Sequence, residues 1–206
     1  MAIRLYYHPY SRAAGTLWPL EEAGVPYELE VVDIMKGEQK APELLARNPM
    51  GKVPTLVDGD VVVTEAAAIA LYLADRYAPG RLAPAFDDPR RGTYLRWALF
   101  APSVIEPAVM AHLEGWTVKE VAAGWGNYPA MIAAAESAIA DKPFVLGDEF
   151  SMADVVLGGT LRFMIGFKQI EPTPRFGAYL ERLNARPAYQ RADAKNLAMR
   201  EQLGLK

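Results

Sequence analysis

Cysteine is absent from the sequence, and histidine occurs only twice, at His8 and His112. These absences exclude a disulfide, a thiolate metal site and chemistry on a protein thiol, and we expect no metal. The longest apolar run, 66–74, is nine residues long, compared with the ~20 that a membrane-spanning helix needs. The sequence also shows no signal-peptide pattern. We therefore expect a cytoplasmic protein with no membrane partner.

The charge balance is slightly acidic. The 206 residues include 22 Lys and Arg against 25 Asp and Glu, a formal net charge of −3. Nucleic-acid binding by bulk charge needs a basic surface, so we expect no nucleic-acid partner. Hydrophobic residues make up 51% and charged residues 23%, a composition typical of a folded globular core and not of a disordered chain.

The first 80 residues alternate between strand and helix patterns, in the order β-α-β-α-β-β-α. A strand–helix–strand start implies a parallel crossover, and the closing Asp-Gly turn indicates an antiparallel hairpin. The predicted elements are strand 3–7, a helix from Ser11 that stops at Gly24, strand 27–32, helix 38–47, hairpin strands 53–57 and 61–63, and helix 65–77 with Thr64 as its cap.

Beyond a Pro/Gly-rich break at 78–84 the periodicity becomes helical throughout. We predict two domains, residues 1–80 and residues 87–206. Ser151 and Asp154 have the spacing of a helix capping box, preceded by Phe150, and this pattern favours a structural role. The predicted helices of the second domain cover 91–111, 118–140, 152–167, 176–186 and 188–202.

Two segments carry a family resemblance. NPMGKVPTLVDGDVVVTEAAAIALYLADRY, residues 48–77, resembles the core of cytosolic glutathione transferases. FVLGDEFSMADVVLG, residues 144–158, resembles the capping segment of that family's helical domain. The resemblance implies an α/β plus all-α fold: a thioredoxin-like N-terminal domain with a mixed four-stranded sheet, followed by an all-helical domain. It also implies a homodimer.

The resemblance implies a set of glutathione-binding residues. A cis peptide bond before Pro54 would turn the main chain of Val53 toward the cysteinyl unit of this tripeptide. Glu65 would accept the α-ammonium, and the amide of Ala66 would donate to the γ-glutamyl carboxylate. The family's usual Glu-Ser is Glu-Ala here, which removes one hydroxyl from the ligand site. Gln39, Lys40 and Lys52 are candidates for the glycyl carboxylate.

A thiol with an ordinary pKa of ~8.5 is only a few per cent thiolate at neutral pH, so the enzyme must stabilise the anion. Ser11, at the predicted helix start, is our first candidate, although it could serve only as a cap. His8 is the second, since His-Pro-Tyr-Ser resembles the Cys-Pro-Tyr-Cys site of glutaredoxins without its sulfurs. Tyr7 is a third candidate, and Tyr6 points to the opposite face of the same strand.

The activity implied is transfer of the glutathione sulfur to an apolar electrophile, with glutathione as co-substrate and no cofactor. Glutathione-dependent peroxide reduction, dehalogenation or isomerisation are alternatives, because the same thiolate serves each of them. A non-catalytic, transferase-like binding module is another, and the loss of the hydroxyl at Ala66 favours it. Four residues are candidates for the second-substrate site: Tyr10, Met110, Leu113 and Trp116.

Overall fold

The computed structural model describes residues 2–205, and the first part of the chain forms a four-stranded mixed sheet. The strands are β1 (Ile3–Tyr7), β2 (Tyr27–Val31), β3 (Thr55–Asp58) and β4 (Val61–Thr64). They lie in the order β2-β1-β3-β4, with β2 parallel to β1 and the other two pairings antiparallel. The predicted thioredoxin-like domain with a mixed sheet is therefore confirmed.

The period-two pattern of β1 decides which face of the sheet is buried. Ile3, Leu5 and Tyr7 are buried, whereas Arg4 is exposed and Tyr6 is half-buried. Leu5 lies at the centre of the sheet, opposite Leu29 on one side and Leu56 on the other.

Helices account for most of the rest of the described chain, and 3-10 segments lie among them at Arg12–Thr16, Glu38–Lys40 and Glu120–Ala122. No helix within residues 2–205 is long and apolar enough to span a bilayer. The α-helices are α1 (Leu17–Ala23), α2 (Pro42–Arg47), α3 (Ala66–Tyr77), α4 (Arg91–Phe100), α5 (Glu106–Leu113), α6 (Tyr128–Ala138), α7 (Met152–Gly166), α8 (Pro174–Asn184) and α9 (Pro187–Gln202).

The chain forms two compact units. The first comprises the chain through Ala78 together with the segment from Pro187 onward, and the second comprises Pro79–Arg186. The sequence pattern places α9 in the helical domain because its periodicity is helical. In the structure α9 packs on α1 of the first unit, where the rings of Trp18 and Tyr189 meet edge to face at 5.3 Å.

Two predicted helix starts are wrong. Glu65, and not Thr64, immediately precedes α3, and its φ of +67° stops the helix from beginning earlier. The helix predicted from 118 begins only at Tyr128, where the side chain of Asn127 accepts a hydrogen bond from the amide of Ala130 at 2.9 Å. Gly126, with a φ of +66°, interrupts the helical path just before that cap.

Prolines divide two other predicted helices. Residues 38–47 form a 3-10 turn followed by α2, because Ala41 precedes Pro42 and adopts an extended conformation. The predicted helix 91–111 contains a π-helical stretch, Ala101–Ile105. Pro102 has no N–H to donate there, which is a recognised cause of local departure from α-helical pairing.

The predicted capping box of α7 is present. The buried carboxylate of Asp154 accepts hydrogen bonds from the amide of Ser151 at 2.9 Å, the amide of Val145 at 2.8 Å and the hydroxyl of Tyr179 at 3.0 Å. These contacts connect α7, α8 and the preceding loop within the second unit. The role of this motif is therefore structural.

Candidate functional site

Three chain segments meet where β1 and β4 end and β3 begins, a place that we call the sheet edge. Thr55 pairs with Tyr6 of β1 on one side and with Thr64 of β4 on the other. The register therefore brings the turn that follows Tyr7, the loop that ends at Pro54 and the start of α3 at Glu65 to the same place. These are the segments in which the sequence predicts glutathione-binding and thiol-activating residues.

The turn after β1 holds His8 and Ser11. His8 is 4% exposed, and its Nδ1 accepts a hydrogen bond from the amide of Tyr10 at 3.2 Å. An imidazole nitrogen that accepts carries no proton, so in the neutral ring the proton lies on Nε2. His8 therefore keeps one N–H donor while it closes the turn.

Ser11 is the N-cap of the 3-10 helix that continues into α1. Its hydroxyl accepts a hydrogen bond from the amide of Ala13 at 3.1 Å and donates one to the carbonyl of His8 at 2.8 Å. The side chain is half-buried. A hydroxyl at this position stands at the positive end of a helical segment, where an anion is favoured.

Tyr7 lies away from solvent. Its side chain is fully buried, and its hydroxyl donates a hydrogen bond to Oδ1 of Asn196 on α9. Burial raises the pKa of the Tyr7 hydroxyl well above its usual value. Tyr6, on the opposite face of β1, has the guanidinium of Arg47 5.5 Å from its ring centroid. Neither environment favours a phenol that exchanges a proton with a bound thiol.

The loop before β3 is held by Asn48, a residue for which the sequence analysis predicts no role. Its Nδ2 donates to the carbonyl of Lys52 at 2.9 Å, and its Oδ1 accepts from the amide of Met50 at 3.1 Å. The Val53–Pro54 peptide bond that follows is cis, as the resemblance implies. Within residues 2–205 no backbone hydrogen bond engages Val53, which is partly exposed.

Gln39 and Lys40 belong to the 3-10 turn Glu38–Lys40, and Lys40 contacts this loop. Nζ of Lys40 donates to the carbonyl of Met50 at 2.9 Å. Oε1 of Gln39 is buried, and in the described part of the chain it has no hydrogen-bond donor. Lys52 is exposed. Lys40 thus lies against the loop. The Oε1 of Gln39 still lacks a hydrogen-bond donor, which a ligand could supply.

Glu65 lies between β4 and α3 with an unusual backbone. Its φ is +67° and ψ is +121°, and its side chain is exposed and caps no amide of the helix. A non-glycine residue with positive φ is conformationally costly, and such residues concentrate at functional sites. Ala66, the first residue of α3, presents its amide at the positive end of the helix dipole.

The four candidates for the second-substrate site are divided between the units. Tyr10 lies in the first unit and is 40% exposed; the others lie in the second. Trp116 lines an open cleft of about 270 Å³ together with Trp125 and the stacked pair His112 and Tyr128. Met110 and Leu113 are exposed on the opposite side of α5 and do not line this cleft.

The described part of the chain contains no cluster of typical metal ligands. Within residues 2–205, no group of three or more His, Asp or Glu side chains is arranged to hold a metal ion. The polar groups at the sheet edge are backbone amides, side-chain amides, a hydroxyl, an imidazole and single charged side chains. Such a set suits a zwitterionic organic ligand.

Comparison with known families agrees with this geometry. The model described as "Glutathione S-transferase, N-terminal domain" matches residues 1–75, and the model described as "Glutathione S-transferase, C-terminal domain" matches residues 118–197. The sheet-edge residues named above fall within the first match.

Relatives and solved structures of the same kind cover nearly the whole chain. Glutathione S-transferase 2 of Schizosaccharomyces pombe is 31% identical over 87% of this chain and 91% of its own length. Human glutathione S-transferase theta-2B is 32% identical over 79% and 72%. The structure is similar to a glutathione transferase from Methylococcus capsulatus, with a TM-score of 0.77, 32% identity and coverage of 95% and 98%. A Sulfitobacter homologue with bound glutathione gives a TM-score of 0.73, 27% identity and coverage of 94% and 98%. This chain therefore belongs to the glutathione S-transferase family.

Proposed function

We propose that this protein binds glutathione at the sheet edge and transfers its sulfur to an electrophilic carbon. The observation that carries this proposal is the register of Thr55 with both Tyr6 and Thr64. That register brings the hydroxyl at a helix start, the main chain of Val53 and the N-terminus of α3 to one end of the sheet. The glutathione-bound Sulfitobacter homologue supports the choice of ligand.

The peptide part of glutathione has a partner for each of its polar groups. The main chain of Val53 pairs with the cysteinyl unit, in the manner of an added strand. Glu65 accepts the α-ammonium, and the amide of Ala66 donates to the γ-glutamyl carboxylate. Gln39, Lys40 and Lys52 serve the glycyl carboxylate, with the buried Oε1 of Gln39 accepting from a ligand N–H.

Ser11 stabilises the thiolate and His8 fixes the turn that presents it. Ser11 combines a hydroxyl donor with the positive end of the helical segment that it caps. Lowering a thiol pKa of ~8.5 by ~2 units corresponds to ~2.7 kcal/mol of preference for the anion. The hydroxyl, the helix end and the Nε2–H of His8 together supply interactions of that order. Tyr7 is left out of this set because its hydroxyl is buried against Asn196.

In the transfer itself the thiol proton leaves to solvent, and the thiolate forms a carbon–sulfur bond as the leaving group departs with its electron pair. The protein contributes anion stabilisation and proximity. We assign the apolar electrophile to the exposed ring of Tyr10, which lies in the first unit and precedes Ser11 in the chain. We further propose that two copies form a homodimer, in which the half-exposed Val61 and Val62 of edge strand β4 are covered.

Calorimetric titration with glutathione, followed by an assay with 1-chloro-2,4-dinitrobenzene, tests the proposal. We expect saturable binding and glutathione-dependent formation of the aryl thioether. If no binding is detected at millimolar glutathione, the result would instead favour a transferase-like module without activity. The missing hydroxyl at Ala66 is consistent with that alternative. Sedimentation velocity at micromolar protein separates the dimer from a monomer.

A further inference from the structure

A guanidinium lies against the residue that precedes Ser11 in the proposed thiol-activating turn. Arg200, near the end of α9, lies over the ring of Tyr10 with its guanidinium carbon 4.3 Å from the ring centroid. Its Nη2 also donates a hydrogen bond to the hydroxyl of Tyr10. Both residues belong to the first unit. We refer to them as the Tyr10–Arg200 pair.

Within the described residues no carboxylate forms an ion pair with Arg200, and its Nε is buried without a hydrogen-bond acceptor. Two other cations of α9 behave differently, because Arg191 and Lys195 contact the carboxylate of Glu21 at 2.7 and 2.6 Å. A half-buried cation with one N–H that lacks an acceptor is an incomplete arrangement, which an anion would complete.

The Tyr10–Arg200 pair adjoins the turn in which we propose that the thiol is activated. The amide of Tyr10 donates to Nδ1 of His8 at 3.2 Å, and Ser11 is the next residue. Burial raises the pKa of the Tyr7 hydroxyl, and the charge of Arg200 opposes that rise. The guanidinium therefore acts on the end of β1 from which the proposed thiol-activating turn begins.

We propose that the Tyr10–Arg200 pair is an anion subsite for the second substrate, and that the preferred electrophiles carry a carboxylate. The planar guanidinium matches a carboxylate in a forked geometry, and the exposed phenol ring beside it offers a flat apolar surface. The proposed function assigns the two carboxylates of glutathione elsewhere, to Ala66 and to the Gln39–Lys40 segment. This inference rests on that proposed function and adds a substrate class to it.

A matched pair of electrophiles tests the subsite. 4-Chloro-3-nitrobenzoate and 4-chloro-3-nitrobenzamide share a leaving group and a ring but differ in charge. In Arg200→Gln we expect kcat/KM for the benzoate to fall by about ten- to hundred-fold, the usual effect of one charge-assisted hydrogen bond, while the value for the benzamide changes by less than about three-fold. Arg200→Lys should recover part of the loss, because it keeps the charge without the fork.

Arg191→Gln is the control, since it removes the same charge from the same helix away from Tyr10. It should leave the ratio of the two kcat/KM values unchanged. Equal losses for both electrophiles in Arg200→Gln would overturn the inference. So would a raised pKa of the bound thiol, read from its thiolate absorbance, because Arg200 would then act on the sulfur. Weaker glutathione binding in that variant would assign the cation to glutathione and would overturn it too.

Calorimetry keeps this test independent of turnover. If the protein transfers sulfur to neither electrophile, the proposed transfer activity fails. Titration with 4-chloro-3-nitrobenzoate then decides the subsite alone. The anion subsite is supported if the protein binds the benzoate more tightly than the benzamide and if Arg200→Gln binds the two compounds equally. Equal binding of the two compounds refutes it.

Discussion

The hydroxyl of Ser11 donates a hydrogen bond to the carbonyl of His8 at 2.8 Å, so the two candidate thiol-activating residues share one closed turn. A serine hydroxyl has a single proton. Ser11 therefore stabilises a thiolate only by turning that proton from the carbonyl to the sulfur. The exchange gives up a neutral hydrogen bond of ~1 kcal/mol and gains a charge-assisted one of ~1.5–3 kcal/mol, so the balance favours the thiolate.

This relationship predicts the effect of Ser11→Ala. The balance of ~0.5–2 kcal/mol is lost in this variant, so we expect the pKa of bound glutathione to rise by about 0.4–1.5 units and kcat/KM at neutral pH to fall by up to about thirty-fold. Ultraviolet titration of the thiolate and the pH profile of kcat/KM measure the two effects. His8→Asn serves as the comparison, because an Asn oxygen can still accept from the amide of Tyr10. A larger pKa rise in His8→Asn than in Ser11→Ala would transfer the role of thiol donor to the imidazole.

Restoring a hydroxyl at position 66 should strengthen glutathione binding. Ala66 starts α3 beside Glu65, where a serine hydroxyl would add one donor to the γ-glutamyl carboxylate. We expect Ala66→Ser to lower the glutathione dissociation constant by about ten-fold, as one added charge-assisted hydrogen bond does. Ala68→Ser, at an exposed position of the same helix, controls for the change in helix propensity. Equal affinities in the two variants would place the carboxylate elsewhere.

Replacing the glycine in the loop before Pro54 should weaken glutathione binding. Gly51 has a φ of +57°, and a Cβ there would approach Cδ of Lys40 to 2.6 Å. Gly59, in the β3–β4 turn, has a similar φ of +61° but no atom within 4 Å of that position. Both alanine variants lose ~1 kcal/mol to backbone strain, whereas only Gly51→Ala also forces the side chain of Lys40 to move. We therefore expect weaker glutathione binding in Gly51→Ala alone, which calorimetry on the two variants measures.

Much of the first unit follows from local sequence rules. The alternation of Ile3, Leu5 and Tyr7 and the Asp-Gly turn are sufficient for the sheet, because period-two burial and turn chemistry are local properties. The helix start at Tyr128 is not predicted, because apolar residues of 118–127 continue a helical spacing although Gly126 breaks the path. The spacing of apolar residues alone does not show that a glycine with positive φ interrupts the helix.

Contacts between distant residues account for what the sequence does not show at the site. Tyr7 and Asn196 are 189 positions apart, and nothing in the strand pattern reveals that this tyrosine is closed off by α9. The same holds for Tyr10 and Arg200, 190 positions apart. Conversely, the capping box of Ser151 depends on neighbours within three residues and is predicted correctly, and the helix cap that the sequence leaves open as a role for Ser11 is present.

The attachment of α9 to α1 should depend on pH through Glu21. The side chain of Glu21 is 8% exposed and accepts hydrogen bonds from Arg191, Lys195 and Tyr27 at 2.7, 2.6 and 2.7 Å. Burial alone would raise the pKa of this carboxyl, but the hydrogen bonds from Lys195, Arg191 and Tyr27 outweigh burial and hold it below its usual value. A lowered pKa in the folded state means that the carboxylate stabilises the fold above the unfolded-state pKa of ~4.3 and loses this effect as the pH falls through the folded-state value.

Glu21→Gln should accordingly destabilise the protein by ~1–3 kcal/mol near neutral pH, the value of hydrogen bonds to a charged group. The difference from the unaltered protein should stay constant down to about pH 5 and shrink below about pH 4, where both states protonate the carboxyl. Urea unfolding at a series of pH values measures it. Glu28→Gln is the matched control, since Glu28 faces Arg4 at 3.4 Å with 62% of its side chain exposed and such surface pairs contribute ~0–1 kcal/mol. A Glu21→Gln difference that persists unchanged at low pH would mean that the lost contribution is packing and not the carboxylate charge.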